Sequence, residues 1–124
     1  MSHSEDNVEF DEIKDLKAFQ RLKKNVTIDL LWIWVLKLLK ESPKYAYELK
    51  NEMSKKFGFS PATVTNYKVL YLLEREGIVR KAEMRSGTER IDRKYYEITE
   101  IGDKLLVEAK EYFKQLFQKL FPDE

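Results

Sequence analysis

Cysteine is absent from this chain of 124 residues, and histidine occurs once, at His3. Such a sequence cannot build a disulfide framework, a thiolate metal site or a cysteine nucleophile. His3 sits in the polar stretch Met1-Ser2-His3-Ser4, which is expected to fray, so it reads as a solvated tail residue rather than a ligand. With four glycines in all, there is no phosphate-cradling loop, and no metal-ligand spacing or nucleophile–base pairing either. Carboxylate pairs such as Glu74 and Glu76 fall at helix surfaces and ends, where they are ordinarily solvated. No enzyme, metal or cofactor is expected. A long apolar run is also missing. The stretch Leu30–Leu36 is bracketed by Asp29 and Lys37 and falls far short of the ~20 residues of a membrane span. The N-terminus is acidic rather than basic and apolar, unlike a secretory signal. The expectation is a soluble, cytoplasmic protein.

What is present is an ordinary globular share of apolar residues, 43%, enough for one core in one domain. The net charge of +1 hides an asymmetry. Residues 1–16 carry six acids against Lys14, a local charge of −5, so the remainder carries +6. An anionic partner is therefore permitted despite the near-neutral total.

Apolar spacing (Val8, Ile13, Leu16, Phe19, Leu22) predicts an amphipathic helix over 8–24 that must dock on something. A second helix, 28–40, is apolar nearly all round and ends at Ser42-Pro43. A third, 45–57, places Tyr47, Leu49, Met53 and Phe57 on a core face and ends at Gly58, free to adopt the left-handed conformation. Ser60-Pro61 reads as N-cap and first residue of a fourth helix, 60–76. Ile78–Met84 and Asp92–Ile98, around a polar tip, read as a hairpin. Thr99 is the expected N-cap of a last helix over 100–120.

Two helices joined by a short turn and followed by a hairpin make a winged helix-turn-helix, whose second helix enters the major groove. The fold class is thus mainly α with a β-hairpin, a winged helix-turn-helix flanked by N- and C-terminal helices. Residues 1–7 form a flexible acidic tail, 8–99 the winged-helix domain with its N-terminal helix, and 100–124 the dimerisation helix. Candidate DNA contacts on the reading helix are Ser60, Thr63, Thr65, Asn66, Tyr67 and Lys68. On the wing they are Arg85, Thr88, Arg90 and Lys94. Threonine and asparagine near a helix start also occur for local capping alone. From Lys44 to Lys94, twelve basic residues face seven acidic ones, an excess of +5 where the helix pair and wing lie.

These residues resemble the PadR family of transcriptional regulators. Tyr47-Glu48-Leu49 looks like the start of that family's second helix, with Ala46 in place of its usual glycine. Thr65-Asn66-Tyr67, Leu70, Leu73-Glu74 and Gly77-Ile78-Val79 are similar to its Thr-Leu-Tyr, Leu, Leu-Glu, Gly-Leu-Ile pattern. Lys94–Gly102 resembles its second wing strand and the start of its last helix, and is the most specific of the three. The similarity spans about residues 28–110. It implies a homodimer on operator DNA, commonly a repressor, in the short form with one helix after the wing, and makes the N- and C-terminal helices the dimerisation helices. Two departures stand out. Asn66 occupies the place of a core leucine, four residues before Leu70 on the same face. The stretch between Gly58 and Tyr67 is also about two residues longer than usual.

In the last helix, Leu106, Phe113 and Leu120 recur every seven residues with Ala109 and Leu116 between, as in a coiled-coil seam. With Leu105, Tyr112 and Phe117 they form the expected dimer interface; packing of the whole stripe within one chain is the alternative. Trp32 and Trp34 are the residues for a small aromatic effector, which the resemblance allows, against plain core packing. Double-stranded DNA and a second copy of the chain are the expected partners. The competing reading is a winged-helix protein-interaction module that does not touch DNA.

Overall fold

A computed structural model describes residues 10–83 and 93–123. The acidic tail 1–7 and the wing tip, with Arg85, Thr88 and Arg90, lie outside the described residues. The chain divides into two compact units, residues 1–31 and 32–124.

In the first unit the single helix expected over 8–24 is two: α1 (Phe10–Lys14) and α2 (Lys17–Val26). The amides of Asp15 and Leu16 bond back three residues, to Glu12 and Ile13, closing α1 in a tight turn. Leu16 is then extended (φ −62°, ψ 145°), which restarts the chain as α2. The Gln20 side-chain amide spans the break, donating to the Lys14 carbonyl at 2.6 Å. At the far end the Thr27 hydroxyl donates to the Lys23 carbonyl, 2.7 Å. Lys23 and Lys24 stand in the last turn, where cations suit the negative end of the helix dipole. No residue of α2 is buried.

The second unit is built around α3 (Leu31–Leu39, from Trp32 on), α4 (Ala46–Phe57) and α5 (Thr63–Arg75). Val35, Leu36, Leu38 and Leu39 of α3 are all buried, as a helix apolar on every side requires. Residues 28–30 form a turn rather than its first residues. In α4 the inward positions are Ala46, Leu49 and Met53, whereas Tyr47, expected on the core face, is 53% exposed. Spacing explains this correction, because Tyr47 precedes Leu49 by two and so lies on another face. Gly58 ends α4 in the left-handed region (φ 78°), its amide bonded to the Ser54 carbonyl.

The start of α5 corrects the expectation for Ser60-Pro61. Phe59 packs edge-on against Trp34, with ring centroids 5.2 Å apart, and Pro61 is buried. These anchors hold the chain short of helical geometry until Thr63, and the cap position falls on Ala62, with no side-chain cap bond. At its other end α5 closes through Gly77 (φ 77°), with the Ile78 amide on the Leu73 carbonyl at 2.9 Å. Its buried residues are Asn66, Leu70 and Leu73, and it packs on α4.

The hairpin strands are short, β1 (Val79–Lys81) and β2 (Tyr96–Ile98), antiparallel with Val79 opposite Ile98, Arg80 opposite Glu97 and Lys81 opposite Tyr96. Lys44 adds a single strand-like rung, exchanging backbone hydrogen bonds of 3.0 and 2.8 Å with Tyr96. The last helix, α6 (Glu100–Leu120), starts where expected. Ile78, Val79 and Tyr96 join the helical core beneath the hairpin.

Candidate nucleic-acid interface

The phase of α5 decides which side chains it offers. Successive residues turn by about 100°, and Asn66, Leu70 and Leu73 define the inward side. The opposite side is the stripe Val64, Lys68, Tyr71 and Arg75, all exposed, with Val64 at 73% and Tyr71 at 57%. Tyr67 and Leu72 flank it and are also exposed. The Arg75 guanidinium lies 5.7 Å from the Tyr71 ring centre, so the last turn presents a stacked cation. Of the expected contacts, Lys68 and Tyr67 are outward, and Thr63 and Thr65 are half-buried on the flanks. Ser60 is exposed but precedes the helix.

Asn66 is the exception. It is fully buried, and neither its amide oxygen nor its nitrogen has a hydrogen-bond partner. Its i, i+4, i+7 relation to Leu70 and Leu73 turns it into the core, so it is removed from the surface set. Val64, Tyr71 and Arg75 take its place. Apolar and aromatic residues within a helix read as core, and only the phase set by Leu70 and Leu73 reveals that these point out.

The wing is braced at its base. Arg80 and Glu97, opposite each other in the register, form a 2.7 Å ion pair, which neutralises one basic residue of β1. The Arg93 guanidinium lies 4.6 Å from the Tyr45 ring centre, and Tyr45 meets Tyr95 edge-on at 5.2 Å. This stack fixes the chain entering β2 and leaves Lys94 exposed beside it.

Beneath the wing, the Lys44 ammonium is buried and lies 3.0 Å from Glu52 and 3.6 Å from Glu41, with the Ser42 hydroxyl at 3.2 Å. Lys56 joins the same carboxylates at 3.1 and 2.9 Å. The bond from Lys56 holds the Glu41 carboxyl below its ordinary range, against slight desolvation. For Glu52, burial pushes upward and is the largest single influence. Bonds from Lys44 and Lys56 together outweigh it and keep this carboxyl low as well. Lys56 is raised in turn by its bonds to Glu41 and Glu52. Burial, and then the charge of Glu74, pushes the Tyr96 phenol upward.

Where wing and last helix join, the Thr99 hydroxyl donates to the Gly77 carbonyl at 2.7 Å, with the Ile78 carbonyl at 3.0 Å. The same oxygen accepts the Gly102 amide. Gly102 is buried, and a β-carbon there would meet the Ile78 carbonyl oxygen and Ile98. This contact accounts physically for the glycine of the Lys94–Gly102 motif.

From Tyr112 onward α6 is exposed, including Tyr112, Phe113, Leu116, Phe117 and Leu120, as is Phe121 just after it, while Leu105, Leu106 and Ala109 are half-buried. Between α3 and α6 runs an open groove of about 600 Å³. It is lined by Ile33, Leu106, Ala109 and Phe113, together with Lys37, Lys40, Lys110 and Lys114. Lys40 is engaged by Asp103 at 2.8 Å. Trp34 is half-buried, packed on Phe57 (4.8 Å between centroids) and Phe59, and Trp32 is half-buried too. Among the described residues there is no group of three potential metal ligands, and no helix is long and apolar enough to cross a membrane.

A family model described as "Transcriptional regulator PadR-like family" matches residues 35–108, which takes in α4, α5, the hairpin and the start of α6. Solved structures share the fold. A PadR family transcriptional regulator from Eggerthella lenta is 25% identical, covering 88% of this chain and all of its own, with a TM-score of 0.63. A PadR-like transcriptional regulator from Bacillus cereus is 25% identical over 82% of this chain and 92% of that one, TM-score 0.61. A PadR-like transcription factor from Bacteroides fragilis is 23% identical over 81% and 95%, TM-score 0.65. No curated protein matches the sequence.

Proposed function

The chain belongs to the PadR-like family of transcriptional regulators, and from that premise we propose that it is a sequence-specific repressor that binds operator DNA as a homodimer. The observation that carries this reading is the outward face of α5. Lys68 and Arg75 stand there beside exposed Tyr67 and Tyr71, on the helix that a winged helix-turn-helix inserts into the major groove. Exposed Lys94 supplies a phosphate contact, and Arg85, Thr88 and Arg90, outside the described residues, are assigned the same role from their residue types. Ser60, Thr63 and Thr65 flank the groove-facing side, where short hydroxyls suit phosphate oxygens.

A second copy is the occupant this reading gives to the exposed stripe of α6. A monomer would leave Phe113, Leu116, Phe117 and Leu120 in water, a patch that invites aggregation. Trp34 is engaged by Phe57 and Phe59, so of the two tryptophans Trp32 is the one left to meet an aromatic effector.

A footprint on the DNA upstream of the protein's own gene tests the whole reading. Two protected half-sites about one helical turn apart are expected. Absence of protection at low salt removes it. Exposed Tyr67, Tyr71 and Leu72 would also suit a protein partner. Salt separates the two readings, since phosphate binding weakens steeply as salt rises.

A further inference from the structure

We infer that Val64 is a base-reading residue that recognises the 5-methyl group of thymine. This inference rests on the DNA-binding reading of α5 and names the chemistry of one contact within it. Val64 is the second residue of α5 and the most exposed large apolar side chain on the helix, at 73%. It stands on the side opposite Asn66, Leu70 and Leu73, so no rearrangement of the core is needed to present it. In helix-turn-helix proteins the first turns of the reading helix meet the base edges. A valine has no hydrogen-bonding group. The apolar feature that base edges display in the major groove is the thymine methyl, which makes adenine–thymine pairs the target.

Lys68 lies one turn further along the same stripe, and Tyr71 with its stacked Arg75 beyond it. The stripe therefore runs from an apolar reader to a cation, and then to a cation held on a ring. Val64 is thereby the residue that discriminates, while Lys68 and Arg75 hold phosphates, whose contribution is electrostatic.

The test uses the full chain and a duplex selected by it from a randomised thymidine-containing pool. That duplex is then remade with deoxyuridine at each thymidine in turn, which removes one methyl and keeps every hydrogen-bonding group. Burying one methyl supports about a fourfold change in affinity. The wild-type protein should lose about fourfold at one thymidine per half-site. Val64→Ala should bind the thymidine and deoxyuridine duplexes equally, with an unchanged salt slope. Equal binding of both duplexes by the wild type overturns the inference and leaves the DNA-binding reading intact, as does a Val64→Ala variant that still discriminates. Failure of the wild type to select any duplex at low salt removes the DNA-binding reading itself, and this inference with it.

Discussion

The α-carbon of Gly102 faces the backbone of Ile78 so closely that a β-carbon on it would stand 2.5 Å from the Ile78 carbonyl oxygen and 2.6 Å from the Ile98 side chain. The first turn of α6 is thus pressed against the base of the wing, with Thr99 bonded at the same corner. A backbone oxygen cannot rotate away as a side chain can. Gly102→Ala is expected to lower stability by about 1–3 kcal/mol, the usual cost of overpacking. Urea unfolding followed by circular dichroism measures it, and an unchanged midpoint would mean that helix and wing separate more easily than this contact implies.

Asn66 leads to the opposite expectation. Its amide is buried without partners, and such a group costs about 1–3 kcal/mol. Leucine has the same number of side-chain heavy atoms and continues the Leu70–Leu73 face. Asn66→Leu should therefore raise the thermal midpoint. A fall would show that the amide is bonded in solution.

The Lys44–Glu52–Lys56–Glu41 cluster sets an acid limit. Both carboxyls are held below their ordinary value of 4.5 in the folded chain. The unfolded chain therefore takes up protons first, and the stabilisation, complete above about pH 4.5, is lost as pH falls through the lowered values. Lys56 works at the other end. Its raised value gives stabilisation that is complete below 10.5 and lost as pH climbs through it. Melting temperatures across both ranges should show the two declines, and Glu52→Gln should flatten the acid one.

Self-association has its own variant. Phe113 and Leu116 lie on the exposed stripe of α6, away from the wing corner. Phe113→Glu is expected to sediment as one chain of 14.9 kDa with unchanged helical content, while the wild type sediments as two. A wild-type monomer at micromolar concentration would end the dimer proposal.

Lys68 gives the electrostatic counterpart of Val64. Lys68→Ala should weaken binding to all duplexes alike and reduce the slope of log affinity against log salt by about one. A loss confined to one base position would instead make Lys68 a reader of guanine.

Features decided by local chemistry were legible in the sequence. Gly58 ends α4 in the left-handed region and Thr99 caps α6, each as its residue type dictates. Ser60-Pro61 carried equally good local signals, yet burial of Pro61 and the packing of Phe59 on Trp34 overrode them and moved the helix start to Thr63. The same tertiary cause blurred the reading face. Polar Asn66 goes inside and apolar Val64 outside, the reverse of what residue type suggests. The four-residue spacing of Asn66 from Leu70 was the one sequence signal that pointed the right way.

The corner at Thr99 and Gly102 also has a mechanical consequence. Twenty-one residues of helix make a rod of about 31 Å, clamped to the wing at one end and carrying the apolar stripe at the other. A tilt of about six degrees imposed on the stripe displaces the opposite end by about 3 Å, close to the ~3.4 Å step between stacked base pairs. In the proposed dimer, small changes in how the two copies meet would be geared up to the spacing of the DNA ladder.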